Sequence, residues 1–169
     1  MNWWLKKVFP EIFCFPWTEN HLRALIDINQ AVFLPGHKRI ELGRDSGSTS
    51  LMFGTVAFVL SSVLASFVLV VCRTQREADS FTQRILAERA KNEEVFGKMP
   101  LAGIPAILCI GEGCSFRGLA VCVDGTSYRP DMVFIDNGVR DREQVLAKVR
   151  GCCSPGTTPR IIEFVTSDK

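Results

Sequence analysis

Residues Leu51–Cys72 read LMFGTVAFVLSSVLASFVLVVC, 22 positions without a charged side chain, Asn, Gln, His or Pro. As one helix rising about 1.5 Å per residue, the run measures about 33 Å, enough to cross a hydrocarbon core of about 30 Å. A helix satisfies its own backbone donors and acceptors in lipid. Soluble helices of this length carry a polar stripe, and none is present here. Arg73 bounds the run on one side; Arg44 and Asp45, ahead of Gly47-Ser48-Thr49-Ser50, bound it on the other. A start some fifty residues in is too late for a secretory signal. The expected fold is therefore a single-pass α-helical membrane protein, its long helix running from the span into a small distal α+β domain.

Composition agrees with that expectation. The 169 residues are 47% apolar and 22% charged, with 20 Lys+Arg against 18 Asp+Glu. A mean hydropathy of +0.15 is high beside so much charge, and the span accounts for the excess. A net charge of +2 gives no basic face for displacing counterions from nucleic acid. The expected organisation is an aromatic amphipathic segment (1–45), a linker and transmembrane helix (46–72), a charged helical extension (73–99) and an α+β domain (100–169).

Within the span, Ala57, Ser61 and Ala65 recur every four residues, with Ser62 and Ser66 beside them and Gly54 one turn earlier. Small residues at this spacing let a partner helix approach closely. Before the span, Trp3, Trp4, Phe9, Phe13 and Trp17 lie near Lys6 and Lys7, a composition suited to the headgroup boundary. Residues 20–34 form a second amphipathic helix ended by Pro35-Gly36. His21 and His37 have no Cys or carboxylate at ligand spacing and read as surface or cap residues.

After the span, residues 73–96 are charge-dense and free of Gly and Pro. The pairs Arg73–Glu77, Arg84–Glu88 and Arg89–Glu93 stand at i,i+4, where they support a solvated helix. Ala78, Phe81, Ile85 and Val95 form a thin apolar stripe, and Gly97 and Pro100 stop the helix. The transmembrane helix then continues unbroken from Leu51 to Phe96. Farther on, 104–110, 119–124 and 131–136 read as strands, the last closed by the turn Asn137-Gly138. A helix over 141–150 and a strand over 160–166 complete the order β-β-β-α-β.

Five cysteines fall in this distal part: Cys109, Cys114, Cys122, Cys152 and Cys153. Their spacing lacks the C-x2-C knuckle of zinc sites, so no metal is expected. Disulfides or an iron–sulfur site are alternatives to the leading reading of Cys109 and Cys122 as small buried hydrophobes. The stretch CIGEGCSFRG resembles the first half of the thioredoxin-like two-iron ferredoxins, whose later C-x3-C pair has no counterpart. One span followed by strands and a helix also resembles the ExbD/TolR family of proton-driven coupling proteins. Their span carries an essential Asp, and Leu51–Cys72 has none.

No phosphate loop, nucleophile elbow or dinucleotide fingerprint is recognised. Asp124, Asp131, Asp136 and Asp141 sit at turns and caps, where carboxylates are structurally common. The balance of positive charge about the span leans towards a distal domain in the matrix or cytosol. The expected function is a non-catalytic accessory subunit of a multi-subunit membrane complex. The first choice is a mitochondrial inner-membrane respiratory or ATP-synthase complex, with the bacterial plasma membrane as alternative location. Its partners would be other subunits and the lipid bilayer, with no cofactor, nucleic acid or small-molecule substrate. A coupling component of the ExbD/TolR kind and a membrane-anchored redox or metal-binding cysteine domain are the alternatives.

Overall fold

The uncharged run is two elements separated by a turn. The computed structural model describes residues 1–96 and 106–167. In chain order these form α1 (Asn2–Val8), α2 (Glu19–Phe33), β1 (Gly36–Gly43), α3 (Ser48–Ser61), β2 (Phe67–Cys72), α4 (Gln75–Lys91), α5 (Glu93–Phe96), β3 (Ala106–Gly111), β4 (Val121–Val123), β5 (Thr126–Tyr128), β6 (Met132–Ile135), α6 (Arg142–Cys152) and β7 (Arg160–Ser167). The run begins inside α3, turns through Ser62–Ser66 and finishes as β2. Ser61 turns its hydroxyl back onto the Phe58 carbonyl (3.0 Å), and Val63 takes a positive φ of 50°. The next residues, FVLVVC, are β-branched and aromatic, which favours the pleated surface of a sheet.

Five strands form one parallel sheet in the order β1-β7-β6-β2-β3, and β4 and β5 pair as a separate hairpin. All six residues of β2 are buried. Val68, Val70 and Cys72 face a core shared with α1 to α5, while Leu69 and Val71 face a second core under α6. A strand covered on both sides has no reason to alternate, so its apolar run is continuous. Helix α3 is buried almost all round. One side lies towards the sheet, and residues of the N-terminal segment cover another. Gly54 allows that approach: a Cβ there would stand 2.6 Å from Leu5 and 2.8 Å from Phe13.

The single-pass membrane fold is thereby corrected. Fourteen residues of α3 extend only about 21 Å, short of a hydrocarbon core of about 30 Å. No described helix is long and apolar enough to cross a membrane. Placement as a single-pass protein of the mitochondrial inner membrane or bacterial plasma membrane is withdrawn with it. The unbroken helix from Leu51 to Phe96 is interrupted by β2. The distal β-β-β-α-β unit is likewise not a layer of its own, because β3, β6 and β7 join β1 and β2 in one sheet. The expected stop at Gly97 and Pro100, and the first two positions of the strand over 104–110, lie outside the described residues.

Helix α4 starts against the end of β3, where a Cβ on Gly111 would meet the Gln75 nitrogen at 2.7 Å and the Thr74 carbonyl carbon at 2.9 Å. Both are backbone atoms and cannot swing away. Gly111→Ala is expected to cost about 1–3 kcal/mol in urea denaturation. Gly113→Ala, which meets open space, should stay within about 0.5 kcal/mol of the parent.

Candidate functional site

Because the strands are parallel, their carboxyl ends share one edge. From the adjacent pair β2 and β6 the chain leaves in opposite directions, through α4 to β3 and through α6 to β7. The two helices pack in different cores, one on each face of the sheet. Such a switch point opens a crevice beyond the strand ends, where open α/β sheets hold their ligands. A cleft of about 400 Å³ lies there. Arg73 enters it from the end of β2 and Asp136, Asn137 and Gly138 from the end of β6. Thr49 comes from the start of α3, and Glu77 and Arg84 from α4.

The loop between β1 and α3 is Arg44-Asp45-Ser46-Gly47, flanked by Gly43. Asp45 and Gly47 both take positive φ, 58° and 74°. Gly47 is the N-cap of α3 and offers no side chain to its first N–H groups, whereas Thr18, Thr74 and Asp141 cap α2, α4 and α6. Uncapped amides at the positive end of a helix dipole are suited to an anion. Beside them the Thr49 hydroxyl donates to Asp136 Oδ1 (3.4 Å). Burial pushes the Asp136 carboxyl above its ordinary range, opposed by the amides of Asn137 and Gly138 and by Thr49.

Asn137 ties the cleft together. Its amide nitrogen donates to Ser48 Oγ (2.8 Å) and Thr166 Oγ1 (3.1 Å), joining the start of α3 to β6 and β7. Its carbonyl accepts from Arg142 Nη2 (2.8 Å). Arg142 Nη1 in turn reaches Glu163 (2.7 Å), a residue only 3% exposed, whose other oxygen meets His37 Nε2 (2.8 Å).

A second hollow of about 250 Å³ adjoins the loop, walled by Phe13, Trp17, His21, Ser46 and Leu51. Phe13 stacks on Trp17 at 5.4 Å between ring centroids, and His21 meets Trp17 edge-on at 5.8 Å. His21 Nδ1 accepts the Thr18 backbone N–H (3.2 Å), so Nε2 carries the hydrogen and donates to the Ser46 carbonyl (2.8 Å). The Trp17 indole nitrogen and the Ser46 hydroxyl are buried without a hydrogen-bond partner.

The residues singled out from sequence are distributed differently. Gly54 and Ala57 lie buried in α3, whereas Ser61 ends that helix and Ser62, Ala65 and Ser66 follow it, so the six share no helix face. Ser66 N–H donates to the Asp131 carboxylate (3.1 Å). Of the residues assigned to a membrane boundary, Trp3 is exposed under the Lys7 ammonium. Trp4 and Phe9 pack edge-on against Phe58 and Phe53 respectively, and Phe13 and Trp17 wall the second hollow.

The five distal cysteines do not gather at one point, although Cys152 and Cys153 touch. Cys109 faces the first core; Cys152 and Cys153 lie in the second, Cys114 packs beside it and Cys122 is exposed on β4. All seven are free thiols. Burial pushes Cys72 up to about 12 and Cys109 up to about 11, so neither is a thiolate at neutral pH. Among the described residues no three His, Cys, Asp or Glu side chains group as a metal site.

Sequence reasoning missed the segment Gly43–Thr49 and assigned Asp136 to a turn. The available signals were the alternation Ile40-Glu41-Leu42 ahead of Gly43, which marks a strand, and an Asp ending the apolar stretch Met132–Ile135. Compared with known proteins, the chain matches no family model and no curated protein.

His21 is the tie between the aromatic segment and the loop. His21→Ala is expected to lower stability by about 1–3 kcal/mol, since it leaves the Ser46 carbonyl without its donor. It should also raise protease cleavage between residues 9 and 20, measured by limited digestion. An unchanged cleavage pattern would show that the tie does not hold the segment.

Proposed function

We propose that the domain binds a nucleoside di- or triphosphate with its Mg²⁺ across the loop Gly43–Gly47. The observation that carries this reading is the strand–glycine loop–helix of β1 and α3, with the Thr49 hydroxyl aimed at Asp136 on the end of β6. In phosphate-loop proteins, backbone amides of such a loop cradle the phosphates, and a loop Ser/Thr and a strand-end Asp hold the metal. Gly47 and Thr49 occupy the second glycine and the hydroxyl position of the pattern G-x4-G-K-[ST]; Leu42 and Ser48 replace its first glycine and lysine.

Thr49 and Asp136 would hold Mg²⁺, and the α3 amides would take the phosphate oxygens. The hollow beyond the loop suits a planar base, with Phe13 and Trp17 as an aromatic wall. Binding rather than turnover is the proposed role, because the loop carries no lysine over the transferable phosphate. This departs from the expectation of a chain without small-molecule ligands. The accessory-subunit reading has lost the membrane span on which it rested.

Calorimetric titration of the chain with Mg·ADP and Mg·ATP tests the proposal. Binding at one site is expected, quenching Trp17 fluorescence and weakening when EDTA removes the metal. Thr49→Ala and Asp136→Asn should each reduce the Mg²⁺-dependent affinity by about tenfold or more, the loss of one metal-held contact. No heat and no quenching at millimolar nucleotide would sink the reading. Phosphate release from Mg·ATP above the blank would turn a binding domain into a nucleoside triphosphatase.

A further inference from the structure

We infer that Arg84, with Arg73 beside it, supplies from outside the loop the positive charge that holds the ligand's phosphates. The inference rests on reading the cleft as a nucleotide-phosphate site. Ser48, at the lysine position, is buried and spends its hydroxyl on Asn137. A chain of phosphates needs its charge answered, and the residues facing the cleft with positive charge are Arg84 and Arg73.

Arg84 is half-buried and held by stacking, and Arg73 is exposed; neither takes the partner that its sequence spacing offers. The charge pattern of the sequence pairs Arg73 with Glu77 and Arg84 with Glu88. The structure forms neither pair: Glu77 caps the backbone N–H of Thr74 (3.1 Å), and Glu88 takes Lys91 (3.0 Å). Among the described residues neither arginine has a salt bridge or a side-chain hydrogen bond. Arg84 instead lies over the ring of Phe53, its Cζ 4.1 Å from the centroid. Phe53 is fully buried and braced edge-on by Phe81. Stacking fixes the plane of the guanidinium and leaves its N–H edge free.

Arg73 leaves the end of β2 beside Gly138, where a Cβ would stand 3.4 Å from both the Arg73 Cβ and Asp136 Oδ2. The fork of a guanidinium matches two phosphate oxygens at once. Arg84 is a half-buried fork with five donors and no acceptor, and the exposed Arg73 lines the same cleft, so both can turn N–H groups to an anion. Arg84 and Arg73 are on this account binding residues for the phosphates, and the ligand class is one with at least two phosphates in a row.

The test titrates the full chain with Mg·ADP, inorganic tripolyphosphate and adenosine, comparing the parent with Arg84→Gln, Arg84→Lys, Arg73→Gln and the distant control Arg150→Gln. Arg84→Gln is expected to weaken Mg·ADP and tripolyphosphate by about tenfold or more while leaving adenosine unchanged. Arg73→Gln should act in the same direction, Arg84→Lys should fall between, and Arg150→Gln should match the parent. The inference is overturned if both glutamine variants bind Mg·ADP within about twofold of the parent. It is equally overturned if Arg84→Gln weakens adenosine and Mg·ADP by the same factor, which is the mark of a structural role. Should Arg84→Gln fail to fold, the ratio of Mg·ADP to adenosine affinity is read from Arg84→Lys, and an unchanged ratio overturns it. A parent chain that binds neither Mg·ADP nor tripolyphosphate removes this inference together with the nucleotide reading. A parent that binds while its arginine variants bind equally well removes this inference alone.

Discussion

A parallel sheet must be covered on both faces, because its crossover connections put protein on each side and leave no strand half in water. Strand β2 stands at the centre of that requirement. Its neighbours β6 and β3 take its backbone groups, and its side chains alternate between a core under α4 and a core under α6. Helix α3 meets a related demand. A helix lying on a sheet ordinarily shows water a polar outer stripe. Here Leu5, Phe9 and Phe13 from the N-terminal segment join α3 in one core, and Gly54 lets them approach its backbone. The apolar content that suggests lipid is the content of a third layer of protein.

The same parallel arrangement gathers the site. Every strand delivers its carboxyl end to one edge, so residues that follow β1, β2 and β6 meet there although they are separated by up to ninety positions. The network of Asn137, Arg142, Glu163 and His37 fixes how these ends sit. Glu163 is buried, and Arg142 and His37 each meet one of its two carboxyl oxygens. Buried pairs of this kind contribute little net stability, but removing one member leaves a charge uncompensated and costs several kcal/mol. Their structural effect is to make one relative placement of α3, β6, β7 and α6 far better than its neighbours.

Several elements were legible from local signals. Met132–Ile135 ends at Asn137-Gly138, α6 keeps Val145 and Val149 at helical spacing, and β7 is a β-branched and aromatic run buried through its middle. The capping box of Thr74 and Glu77 that opens α4 was instead read through as part of one helix. The helix–strand division of Leu51–Cys72 was not legible. Burial all round removes the 3.6-residue period from α3 and the two-residue period from β2, and without a period the two read as one rod. Strand β1 escaped for a different reason. It is an edge strand whose exposed positions carry His37, Arg39 and Glu41, and its partner β7 lies more than 120 positions away, so nothing local announces the pairing. Of the site, Asp136 was seen only as a turn carboxylate. The loop was seen only as the polar end of a span, since Ser48 stands where a lysine would have drawn attention.

Ser48 also bears on the electrostatics of the cleft. A lysine there would carry its own charge towards the ligand; the serine instead accepts from Asn137 and locks the first turn of α3 to β6 and β7. Among the described residues Asp136 has no salt bridge, and burial pushes its carboxyl up. Arg73 and Arg84 line the same cleft, and among the described residues neither has a salt bridge. Acid and guanidiniums could have neutralised one another and closed the cleft. Arg84 stacks on Phe53 instead. On the proposed reading, a site with both signs is complementary to a ligand carrying both, a cation bound to a polyanion. Neither a bare metal nor a bare phosphate answers both halves of it.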